Sequence, residues 1–239
     1  MSRFLIPAAL LLAGCLPTLP VHPEALRQNN LCVNDLNAGH LLDAKVHCEH
    51  AREFSPDYPD VWVNLGLIAY KSGRPDEAKD DFTKALHLNN ETAQAWNDLG
   101  VNELDSGNNA VAQERFERAL KVNPDYQEAR KNLGLAHWRQ HRLDQAEICF
   151  RTMIAVNPML SEPYHDLGAL ELERGRNKEA AEWFEKAVTL EVTYASAWKG
   201  LGFARERLGD FDAAKEAFRS CVEADPKALE CRHGLDRER

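Results

Sequence analysis

The sequence predicts an all-α protein, a superhelical solenoid of six helix-turn-helix repeats closed by a C-terminal capping helix. Three observations carry that expectation. Leu-Gly pairs stand at 65 and 66, 99 and 100, 133 and 134, 167 and 168, and 201 and 202, each 34 residues after the last. On the same period fall Ala78, Ala112, Ala146, Ala180 and Ala214, and Phe82, Phe116, Phe150, Phe184 and Phe218. Glycine recurs midway through the unit at 73, 107, 175 and 209, and proline near its end at 124, 158 and 226. A length of 239 residues allows one or two domains, and the repeat makes them one continuous stack.

Each recurring type has a packing reason. Glycine and alanine let two antiparallel helices approach, while leucine, tryptophan and phenylalanine fill the space around the contact. The midway glycine ends the first helix in a left-handed turn, and the proline stops the second. Repeats then occupy 59–92, 93–126, 127–160, 161–194 and 195–228. Running the frame backward from Pro56 adds a degenerate repeat at 25–58, with Leu31, Gly39, Ala44 and Ala51 in place. There Cys32 takes the glycine position and Cys48 the phenylalanine position. Forward of the last repeat, 229–239 continues the frame as the capping helix and ends in charged Asp236 to Arg239.

Ahead of each Leu-Gly pair comes Trp62, Trp96, Arg130, Tyr164 or Trp198. The whole pattern, W-x2-L-G-x2-Y, then A-x3-F, then P, resembles the tetratricopeptide repeat. The tyrosine of that pattern is replaced by Ala69, Glu103, His137, Glu171 and Arg205, so the repeats are expected to stack less uniformly than the consensus.

At the N-terminus Arg3, the apolar run Phe4 to Leu12, and small residues before Cys15 follow the order of a secretory signal. The apolar run of about 9 residues is far below the roughly 20 that a membrane-spanning helix needs. Leu12-Ala13-Gly14-Cys15 resembles the lipobox of bacterial lipoproteins. That resemblance implies removal of 1–14 as a signal peptide and acylation of Cys15. With Leu16 next, it also implies export to the outer membrane, the folded part lying in the periplasm. Residues 15–24 form a tether whose Pro17, Pro20 and Pro23 favour an extended conformation reaching roughly 28 Å.

Six cysteines are present. With Cys15 lipidated, the pairs Cys32 with Cys48 and Cys221 with Cys231 leave Cys149 single. An envelope location permits disulfides, and a terminal repeat, supported on one side only, gains most from one. Closing loops of this size contributes about 3 kcal/mol in the chain-entropy model. The alternatives are buried free thiols, or a metal site at Cys48 with His47 or His50, whose spacings match no zinc pattern. Cys149, beside Phe150, reads as an inert packed thiol.

By the same resemblance the first helix of each repeat lines the concave face through its positions 2, 5, 6, 9, 12 and 13. Positions 9 and 12 hold Val33 and Leu36, Leu67 and Tyr70, Val101 and Leu104, Leu135 and Trp138, Ala169 and Leu172, and Phe203 and Glu206. All but Glu206 are apolar, which suits a groove for a helix or an apolar segment. The competing reading is ordinary core. Chaperone-type repeats clamp a peptide carboxylate with lysine at position 5 and asparagine at position 9; here only Lys131 and Lys199 fit, and that clamp is disfavoured. Asn64, Asn97, Asn132 and Asp166 stand where they would hydrogen-bond a bound backbone.

The formal net charge is −9, and removal of 1–14, which takes away Arg3, makes it −10. Phosphate backbones repel such a chain, so nucleic acid is not an expected partner, and membrane contact is expected through covalent lipid alone. No catalytic, cofactor or metal site is expected. His137 and His141 stand four apart without an acidic third ligand, and no glycine-rich phosphate loop or Ser-His-Asp pattern occurs.

Lipobox, short tether, six repeats and apolar groove together resemble the outer-membrane secretin pilotins of type IV pilus systems, of the PilF, PilW and Tgl type. The resemblance implies a non-catalytic scaffold, monomeric apart from its partner. Its groove would hold an apolar segment of the pilus secretin while the lipid keeps the complex at the membrane during multimerisation. A scaffold for β-barrel assembly or peptidoglycan synthesis, and an adaptor for a periplasmic protease, are the other classes this architecture serves.

Overall fold

The computed structural model describes residues 20–237; Cys15, the signal segment and the first half of the tether lie outside the described residues. Among the described residues the chain forms thirteen α-helices and no strand. They pair as α1 (Pro23–Ala38) with α2 (Leu41–Phe54), α3 (Pro59–Lys71) with α4 (Pro75–Leu88), and α5 (Ala93–Asp105) with α6 (Asn109–Val122). The remaining pairs are α7 (Gln127–Arg139) with α8 (Leu143–Val156), α9 (Glu162–Glu173) with α10 (Asn177–Leu190), and α11 (Ala195–Leu208) with α12 (Phe211–Ala224). The last helix, α13 (Leu229–Arg237), covers the end of the stack. Each first helix packs on its own second helix, and each second helix on the next first one. Helix α1 starts two residues ahead of the expected boundary because Pro23 suits a first turn and His22 caps it, Nδ1 accepting from the Glu24 N–H at 3.1 Å.

A glycine pressed on a phenylalanine ring holds each helix pair together. A Cβ added at Gly66, Gly100, Gly134, Gly168 or Gly202 would stand 2.5 to 2.9 Å from the ring of Phe82, Phe116, Phe150, Phe184 or Phe218, so no larger residue fits. All five rings are fully buried. In the first repeat the same two positions hold Cys32 and Cys48, joined in a disulfide with Cα atoms 5.3 Å apart. A covalent bond thus replaces the ring-on-glycine contact. At the other end Cys221 and Cys231 join α12 to α13, Cα atoms 6.1 Å apart, and Gly234 closes over the far side of Phe218. Cys149 is free and buried, and burial pushes its thiol up to about 11.

Between the helices of a pair, Gly39, Gly73, Gly107, Gly175 and Gly209 adopt φ of 72 to 82°, and His141 takes the same place at φ 56°. A Cβ in that conformation costs roughly 1–2 kcal/mol, against roughly 0.5–1 for the extra freedom of an unfolded glycine. His141→Gly is therefore expected to stabilise the chain by about 0.5–1 kcal/mol. The check is a higher urea midpoint at unchanged slope; an unchanged midpoint would deny the strain.

Two polar ties join successive repeats. Trp62, Trp96 and Trp198 each donate Nε1–H to the carbonyl six residues earlier, that of Pro56, Asn90 and Val192, at 2.7, 2.9 and 2.7 Å. The Tyr164 hydroxyl does the same to Pro158, and Arg130 and Arg232 do so to Pro124 and Pro226. The residue at this position is thus a donor that pins the inter-repeat loop, which is why arginine and tyrosine replace tryptophan there. The second tie uses the position that lacks the consensus tyrosine. Buried Glu103 accepts from Lys79 of α4 at 2.8 Å, and Arg205 reaches Glu185 of α10 at 2.9 Å. Buried Glu171 holds Arg174, whose guanidinium also bonds Asp144 and Glu147 of α8, both at 2.6 Å. At Glu103, Glu171 and Arg205, though not at Ala69 or His137, charged side chains in ion pairs stand where the consensus uses an aromatic ring.

Candidate partner-binding face

The first helices line the inner face of the stack. Val33, Leu67, Tyr70, Val101, Leu135, Trp138, Leu172 and Phe203 lie there half-buried. All but Val33 pack one side against the core and leave the other open. Leu36 and Leu104 differ, being 8% and 4% exposed, and belong to the core rather than to a groove. Leu36 sits with Leu65 and Ile68, and Leu104 lies under Arg139, whose guanidinium crosses to donate to the Leu104 carbonyl at 2.7 Å. Arg207 spans to the Leu172 carbonyl in the same way at 3.1 Å.

Most polar groups of this face are engaged within the protein. The Tyr70 hydroxyl donates to Asp105 and the Trp138 indole to Glu173, each acceptor one repeat further on. Asn64 donates to Asn29 and Asn132 to Asn97, both at 2.9 Å, and His165 pairs with Asp166 at 3.1 Å. Asn64, Asn97, Asn132 and Asp166, expected to meet a ligand backbone, therefore join neighbouring first helices or, for Asp166, an adjacent side chain. Sequence reasoning missed the row Asp105, Arg139, Glu173 and Arg207, although its 34-residue spacing and alternating sign were readable.

What remains open is an apolar floor running from Leu67 through Val101 and Leu135 to Leu172 and Phe203. Neighbouring first helices touch along the inner face, α1 with α3, α3 with α5, α5 with α7, and α9 with α11. Leu135 and Trp138 lie on α7 in the middle of this face, with the Trp138 ring set edge-on to Phe150 at 6.4 Å. Among the described residues no group of three or more His, Cys, Asp or Glu side chains is placed to hold a metal ion. No helix among them is long and apolar enough to cross a membrane.

The tetratricopeptide-repeat family models match residues 59–91, 97–158, 164–190 and 195–235. The chain is a tetratricopeptide-repeat protein. Among solved structures it is similar to PilF of Pseudomonas aeruginosa, with TM-score 0.76, 18% identity, and coverage of 90% of this chain and 97% of that one. It is also similar to PilW, described as a widely conserved type IV pilus biogenesis factor, with TM-score 0.80, 21% identity, and coverage of 90% and 99%. A third is YrrB, described as a tetratricopeptide-repeat protein with an unusual peptide-binding site, with TM-score 0.59, 17% identity, and coverage of 79% and 97%. No curated protein matches the sequence.

Proposed function

We propose that this chain is a pilotin-like scaffold, anchored to the outer membrane through lipid on Cys15, that captures the type IV pilus secretin and promotes its multimerisation. The observation that carries the reading is the match in extent to PilF and PilW: six repeats and cap align over 97% and 99% of those chains. Leu12-Ala13-Gly14-Cys15 supports the anchor, and the half-buried apolar floor supports a protein partner. The mechanism is holding and placement, with no bond made or broken. His22 supports placement near the membrane, because it fastens the end of the tether to the first repeat. Its ring stacks on Phe54 at 5.1 Å and its N–H donates to Ser55 Oγ at 2.9 Å.

Cys15→Ser is expected to release the chain from membranes and to reduce secretin multimers in the outer membrane, while the circular dichroism stays helical. Fractionation with membranes as in wild type would refute the anchor. Undiminished multimers in a strain lacking the gene would refute the secretin role.

A further inference from the structure

The edge where second helices connect to first helices holds a row of carboxylates outside ion pairs beside the apolar floor. Asp57, Asp60, Glu91, Asp125 and Glu128 are exposed along the loops before α3, α5 and α7 and in their first turns. None of the five forms an ion pair among the described residues, although Lys121 and Lys131 stand on the same edge, and from Lys131 onward lysines pair across the rim. There Lys131 bonds Glu162 at 2.8 Å and Lys199 bonds Glu230 at 2.5 Å. One turn into α5, Asp98 adds a sixth carboxylate with Oδ2 unpartnered, and burial pushes its pKa up to about 6, Glu128 adding to the effect. The opposite edge is mixed and paired, Asp105 with Arg139 at 3.8 Å and Glu173 with His141 at 3.6 Å. Between the two edges runs the floor of Leu67, Val101 and Leu135.

We infer that the first half of the groove takes an amphipathic segment of the partner, its apolar face on Leu67, Val101 and Leu135 and its lysines or arginines against the acidic edge. This rests on the scaffold reading above and names the chemistry of the captured segment. Carboxylates outside ion pairs beside an apolar strip favour a cationic ligand twice, by steering its approach and by rejecting acidic competitors. First helices lie roughly 10 Å apart, so the strip from α3 to α7 spans roughly 20 Å, or about thirteen residues of helix.

Two synthetic peptides test this, each helical with leucine at i, i+3, i+4 and i+7, one flanked by lysine and the other by glutamate. Titrated by fluorescence anisotropy into the full-length chain, the lysine peptide is expected to bind about tenfold more tightly at low ionic strength, the gap narrowing with salt. The triple variant Asp60→Asn, Asp125→Asn, Glu128→Gln, altered only at exposed positions, should lose the gap. A control on outer faces, Glu179→Gln with Asp212→Asn and Glu216→Gln, should keep it. Equal affinity for the two peptides, no binding of either, or a gap that survives in the triple variant would overturn the inference. In those cases capture of the secretin by the wild-type chain would leave the scaffold reading standing. A wild-type gap that the triple variant loses, without secretin capture, would remove the scaffold reading instead.

Discussion

Phe116→Ala is expected to destabilise the chain by about 3–5 kcal/mol, a large part of the roughly 5–15 that holds a folded domain. The ring is fully buried, lies on Gly100 and packs with Leu104, Ala112 and Ala136, so its loss opens a cavity with no side chain free to collapse into it. Repeats in a solenoid are supported by their neighbours alone, so the damage should divide the stack and make denaturant unfolding biphasic. Gly100→Ala attacks the same contact from the other side, its Cβ falling 2.6 Å from the Phe116 ring, and should cost about 1–3 kcal/mol. Combining Gly100→Ala with Phe116→Leu should cost less than the two changes added, because the smaller side chain makes room for the methyl. Strict additivity would show that the ring and the glycine do not form one unit.

The second large effect is expected at the ends. Reducing both disulfides should remove about 3 kcal/mol from each terminal unit, since the bonds close loops of 16 and 10 residues. The first repeat should suffer more, having no phenylalanine and glycine to fall back on. Hydrogen exchange of the reduced chain should show amides of α1, α2 and α13 opening first while α5 to α8 keep their protection. Uniform loss of protection, or none, would contradict the idea that the cysteines staple the exposed ends.

The repeat itself was readable because its contacts are made by pairs of letters that suit each other and little else. Glycine at 100 and phenylalanine at 116 state a close approach and the ring that fills it, and the same logic placed Cys32 and Cys48 opposite one another. The polar ties were hidden for the opposite reason. The acceptor of the Trp62 indole is the Pro56 carbonyl, a backbone atom that no sequence pattern displays. Leu104 and Leu67 are the same residue type on one side of a first helix, and only the packing of Leu104 with Ala112, Phe116 and Ala136 puts it in the core. Asn64 and Asn132 are bonded to Asn29 and Asn97 one repeat earlier, a pairing their own positions do not display. The inner face is therefore narrower and more apolar than its letters suggest.

A photo-crosslinking residue at position 135, introduced into the chain in its native envelope, tests capture by the inner face most directly. Leu135 is half-buried on the first-helix face, while Ile148 on α8 is 64% exposed and belongs to a second helix. An adduct with the type IV pilus secretin is expected from position 135 and none from position 148. No secretin adduct at 135, or equal adducts at both positions, would contradict capture by that face.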